Sequence, residues 1–128
     1  MVLRQGLRSE VSLVVGDGDT AVALGSGDVP VLGTPRLVAL AEEATVEAVR
    51  GHLGAGETTV GTRVEVRHLA ASPVGARVTA EAELEEVDGA RLVFRFAATG
   101  ERGAVVGEGR VERVVVDRAR FLARVGGQ

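Results

Sequence analysis

The sequence predicts an α+β domain in which a curved antiparallel sheet wraps around one long central helix. Three observations carry this expectation. A single long stretch has helical periodicity, opening at Thr34-Pro35. One strand precedes it, and an almost unbroken run of alternating strands joined by turns follows it. The 128 residues, 45% of them hydrophobic, suffice for one domain with a real core. Eighteen glycines and three aromatic residues point to close backbone packing rather than a bulky core.

Taken in order, residues 8–15 alternate as a first strand, with Val11, Leu13 and Val15 on one face. Gly16-Asp17-Gly18-Asp19 is a turn. Its aspartates lack the bidentate glutamate of a calcium loop, and its glycines lack the Gly-Lys-Ser/Thr of a phosphate loop. Thr20–Leu24 is expected to be a short extended piece, and Gly25–Gly33 an irregular segment placed to act as lid or connector. The helix is expected from an N-cap at Thr34, with proline at its first position, to Leu53, with Gly54 ending it. Strands follow over Glu57–Ala71, Ala76–Val87, Ala90–Thr99 and Ala104–Val116. Ser72-Pro73-Val74-Gly75 and Asp88-Gly89 supply turns, and Gly107 and Gly109 mark a bulge or a close backbone approach. Asp117–Val125 is a short helical tail with Asp117 as cap. Outward arginines and glutamates on the strands are read as a solvated face with cross-strand ion pairs. A helix this apolar needs covering on more than one side, which the hot-dog fold provides, and such folds pair their edge strands into dimers.

Two ionisable residues break the pattern. At about 100° per residue, Arg36, Glu43, Glu47 and Arg50 share the wet face of the helix, while Glu42 falls about 40° from Val38 on the apolar side. On the following strand, Val60, Thr62, Val64 and Val66 alternate with Arg63, Glu65 and Arg67, and His68 continues the apolar set. A carboxylate and an imidazole on facing apolar surfaces are costly without a use, and they suit acid–base or nucleophilic work. If Glu42 is kept for chemistry, its replacement by leucine is expected to abolish activity and leave stability unchanged or improved; if it is paired with a buried arginine, the same change costs about 3–5 kcal/mol. His52, near the helix end, complements the helix dipole. The absence of cysteine removes thiolate nucleophiles, disulfides and sulfur-ligated zinc. A net charge of −3 without any aromatic-basic platform gives no nucleic-acid partner. No stretch of about 18 apolar residues and no signal-peptide core occurs, so no membrane association and a cytoplasmic location are expected.

The spacing Thr34-Pro35-(six residues)-Glu42, then Val60-Gly61-Thr62-(five residues)-His68, then Ala71-Ser72-Pro73-Val74-Gly75 resembles the fluoroacetyl-CoA thioesterase-like branch of the hot-dog superfamily. The likeness runs on through Val87-Asp88-Gly89-Ala90-Arg91 and Gly109-Arg110-Val111-Glu112-Arg113 to Phe121, covering about residues 30–125. It implies a homodimer or higher homo-oligomer that hydrolyses acyl-CoA or acyl-carrier thioesters, with no cofactor and no metal. The resemblance makes Thr34, Glu42 and His68 the catalytic set and places Gly61 at the acyl site. Arg113 is a candidate contact for a coenzyme A phosphate. The aromatic residues that cover the acyl pocket in the fluoroacetyl-specific enzyme are missing from Gly25–Gly33, which argues against fluoroacetyl selectivity. The alternatives are a non-catalytic acyl-thioester binding protein and a hot-dog enoyl hydratase, whose Asp-to-His motif is not visible here.

Overall fold

In a computed structural model that describes residues 2–127, five antiparallel strands form one sheet. They are β1 (Arg8–Val14), β2 (Glu57–His68), β3 (Arg77–Asp88), β4 (Arg91–Gly100) and β5 (Val105–Asp117), in the order β1-β3-β4-β5-β2. Three helices accompany it: α1 (Ala21–Leu24), the long α2 (Thr34–Val49) and the tail α3 (Arg118–Gly126). α2 lies against β1 and β3 and also touches β2, β4 and β5, so the sheet curves around it. The fold is α+β, of the hot-dog kind.

The alternation in β3 and β4 produces the core as expected. Val78, Ala80, Ala82 and Leu84 face inward from β3, and Leu92, Phe94, Phe96 and Ala98 from β4, all buried. Against them α2 sets Leu37, Leu40, Ala41, Ala44 and Ala48. Alanines facing alanines let helix and sheet approach closely, while the leucines and two phenylalanines fill the volume. The buried stripe of α2 is turned from the expected one: Leu40 is buried and Val46 is exposed. The outer face carries the expected lattice, including Arg63–Glu112, Arg91–Glu112, Arg95–Glu83 and Arg110–Glu85. Each such exposed pair contributes little to stability.

Several boundaries differ from those expected. α2 ends at Val49 rather than Leu53, because Gly51 at φ +83° turns the chain before Gly54 is reached. Its N-cap is Gly33, not Thr34, with Thr34 already in the helix and no side-chain cap bond formed. Gly33 is fixed by crowding: a Cβ there would lie 2.9 Å from Leu24 Cδ1 and 3.2 Å from the Ala21 backbone. Thr20–Leu24 is a helical turn rather than an extended piece, since the Thr20 hydroxyl accepts from Ala23 N–H and Gly25 closes it at φ +70°. Asp19 in the preceding turn accepts from Gly16 N–H and, at 3.0 Å, from Arg36 Nε. The β3–β4 turn is Gly89-Ala90, one residue later than expected, because Asp88 still pairs with Arg91. Gly109 sits where the Glu65 carbonyl presses on it, and Gly107 where Leu37 and the Arg67 carbonyl do, which is the close approach expected of mid-strand glycines. Asp117 caps α3 by accepting from Arg120 N–H.

Candidate active site

Because Gly33 takes the cap position, the Thr34 hydroxyl is left for another partner. It lies 2.8 Å from Nδ1 of His68, the last residue of β2. The other ring nitrogen, Nε2, is buried and has no hydrogen-bond partner among the described residues. A buried polar nitrogen left unpaired is costly. The pair forms part of the wall of a cleft of about 380 Å³. Its remaining wall is mostly small and aliphatic, with Val29, Val31 and Leu32 from the segment before α2 and Leu69-Ala70-Ala71 after β2, and carries Ser26 and Asp28 as its polar side chains. That segment is tied down at its second end: Val31 accepts from Ala21 N–H, and Leu32 N–H donates to the Ser72 carbonyl. Ser26–Pro30 remain exposed as its tip.

Two turns further along α2, Glu42 is half-buried and its carboxylate packs directly against Gly61, where any Cβ would collide with Oε2. Glycine is therefore required at 61 for close approach, not for its backbone angles. The same oxygen accepts from Arg113 Nη1 at 3.1 Å. Arg113 is only 7% exposed, and its remaining donors go to Thr59: Nε to Oγ1 at 2.9 Å and Nη2 to the carbonyl at 3.2 Å. Burial holds the Arg113 pKa below its usual value, although the Glu42 charge and hydrogen bond push it back up. Arg113, expected as a contact for a coenzyme A phosphate, has its guanidinium enclosed and bonded to Glu42 and Thr59. Thr59 was not singled out from the sequence. It stands two residues before Gly61 on the same strand face, the one available signal.

A bulge explains how both groups come to face the helix. Gly61 and His68 are an odd number of residues apart, so an unbroken strand would point them to opposite faces. Gly61 pairs with Arg113 and Arg63 with Glu112, which leaves Thr62 as an extra residue and reverses the alternation. Thr59 and Gly61 face inward before the bulge, and Val64, Val66 and His68 after it. The sequence reading had placed Val60 and Thr62 on the His68 face. The structure thus brings together Thr34 with His68, and Glu42 with Gly61 and Arg113, as two separate clusters. Eight residues of helix separate Thr34 from Glu42 by about 12 Å of rise, and seven residues of strand separate Gly61 from His68 by about 23 Å. Among the described residues no group of acidic or histidine side chains suits a metal ion.

The fold agrees with comparison to known proteins. The profile of the family described as fluoroacetyl-CoA-specific thioesterase matches residues 15–119. A fluoroacetyl-CoA thioesterase of Streptantibioticus cattleyicolor is 40% identical over 95 residues, spanning 74% of this chain and 68% of that one. A solved structure of a fluoroacetyl-CoA thioesterase superposes with a TM-score of 0.92 at 34% identity, covering 100% of this chain and 98% of that chain. A thioesterase superfamily member from Thermus thermophilus superposes with a TM-score of 0.89 at 32% identity, covering 95% and 90%. With most of its length matched in sequence and all of it in structure, the chain belongs to the fluoroacetyl-CoA-specific thioesterase family.

Proposed function

We propose that this chain, a thioesterase by family, hydrolyses short acyl-CoA thioesters to free acid and thiol at a site built from two copies. The observation that carries the reading is the 2.8 Å contact of Thr34 Oγ1 with His68 Nδ1 on the cleft wall, which leaves Nε2 buried and unpartnered. Thr34 fixes the ring so that Nε2 is the working nitrogen. The thioester carbonyl lies beside Gly61, whose backbone N–H faces the developing oxyanion. Glu42, held in place by Arg113, attacks the carbonyl carbon or orients the water that does, and His68 delivers the proton to the departing thiolate.

Two copies are needed because the clusters stand too far apart in one. β2 is an edge strand of 12 residues with one row of backbone groups unpaired, an arrangement proteins ordinarily cover. Antiparallel pairing of β2 with the same strand of a second copy, centred on Glu65 and with Thr62 left out as the bulge, sets Gly61 of one copy opposite His68 of the other. The exposed apolar positions of α2, Pro35, Ala39 and Val46, flank Glu42 on the side such a partner would cover. A cytoplasmic setting belongs to the same reading, and no helix of the described residues is long and apolar enough to cross a membrane.

The test is to incubate the purified protein with a panel of short acyl-CoAs and detect free thiol. Release of thiol is expected. Loss of an enoyl double bond without thiol would indicate a hydratase, and binding without any turnover a carrier; either result would overturn the proposal.

A further inference from the structure

The chain contains fifteen arginines and no lysine. Nine of them form ion pairs among the described residues. Three of the remaining six, Arg118, Arg120 and Arg124, sit together on α3, exposed and without an acidic partner among the described residues. Arg120 and Arg124 are four positions apart and so share one helical face. The opposite face shows Leu122 and Val125, each more than half exposed. The N-terminal turn of α3 is already occupied by the Asp117 carboxylate, so the arginine side chains themselves are the available cationic groups.

α3 begins at the end of β5, the strand that carries Arg113. It leaves β5 directly, and Arg118 N–H donates to the Gly56 carbonyl at the start of β2. Five residues separate Arg113 from Arg118, about 17 Å along a strand, and Arg120 lies about 3 Å of helical rise further on. That is a span a pantetheine arm can bridge. A chain of net charge −3 repels a polyanionic substrate unless some local surface attracts it. Guanidinium groups suit a phosphomonoester and a diphosphate because they donate two parallel hydrogen bonds.

We propose that the Arg120–Arg124 face of α3 binds the phosphates of the coenzyme A end of the substrate, on the copy that supplies Glu42 and Gly61. This rests on the thioesterase reading for its substrate, but it assigns a separate surface. It also makes coenzyme A, rather than the free pantetheine thioester, the preferred carrier.

The test compares wild type with Arg120→Glu/Arg124→Glu on acetyl-CoA and on S-acetyl-pantetheine, which lacks the phosphates, with binding of free coenzyme A followed by calorimetry. The double variant should lose about tenfold in kcat/KM on acetyl-CoA relative to its change on S-acetyl-pantetheine. The loss should lie in KM and shrink as salt is raised. Coenzyme A should bind the variant correspondingly more weakly. Equal effects on the two substrates, or no effect on either, would overturn the assignment. If wild type hydrolyses neither thioester but still binds coenzyme A through these arginines, the hydrolytic reading fails while the phosphate site stands. If coenzyme A binding is also indifferent to them, both fail.

Discussion

Replacing Glu42 by leucine is the most informative single perturbation, because the structure decides between two opposite expectations for its cost. On the sequence alone, a carboxylate kept on an apolar helix face for chemistry should be neutral or stabilising to remove, and one paired with a buried arginine costly. The structure supplies that arginine: the Glu42→Leu protein would leave Arg113, 7% exposed, with its Nη1 group unpaired. Breaking a fully buried ion pair by removing one partner costs about 3–5 kcal/mol. Glu42 itself is 36% exposed in its side chain, so water can reach the vacated position and a smaller loss of about 2–3 kcal/mol is expected. For a domain of this size that lowers Tm by about 10 °C. Thermal and urea unfolding of Glu42→Leu, Arg113→Met and the double variant measure it. The double variant should recover most of the loss, giving a coupling of about 2 kcal/mol between the two positions. A Glu42→Leu protein as stable as wild type, or a coupling near zero, would refute the pairing. Destabilisation by leucine is thus uninformative about catalysis. Glu42→Gln, which keeps a hydrogen bond to Arg113, should abolish hydrolysis while unfolding within a few degrees of wild type.

Gly61→Ala places a methyl group on the Glu42 carboxylate, so steady-state assays should show kcat reduced at least about tenfold, with a stability loss of up to about 2–3 kcal/mol because moving the carboxylate aside breaks its bond to Arg113; unchanged turnover would mean the Glu42–Gly61 contact is irrelevant to the reaction. The cleft at Thr34 and His68 is lined by no phenylalanine, tyrosine or tryptophan, so fluoroacetyl and acetyl thioesters should have similar kcat/KM. A preference of about a thousandfold, roughly 4 kcal/mol, would contradict that expectation.

Much of the fold was legible because it follows from alternation. Val78 to Leu84 and Leu92 to Ala98 alternate without a break and become the core, and Asp117 caps the last helix as its side chain suggests. Legibility failed where a neighbour far along the chain decides the outcome. Thr34 has the side chain of an N-cap, but crowding by α1 installs Gly33 there and frees the hydroxyl for His68. The only sign of the bulge at Thr62 in the strand from Glu57 is the mid-strand Gly61 beside it, and without that bulge Gly61 and His68 could not both face the helix. Arg113 looks like one more surface arginine in an alternating charged strand. Only the fold shows that its register position opposite Gly61 carries it inward to Glu42.

The division of the site between two copies can be tested by complementation. Protein carrying His68→Ala retains Glu42, and protein carrying Glu42→Gln retains Thr34 and His68. Each alone should be inactive on acyl-CoA. When the two are unfolded together and refolded at equal concentrations, half the dimers are mixed, and a shared site leaves one of their two sites intact. Activity should therefore return to about a quarter of the wild-type value. If the mixture stays as inactive as its parents, all the groups act within one chain and the two-copy site is wrong.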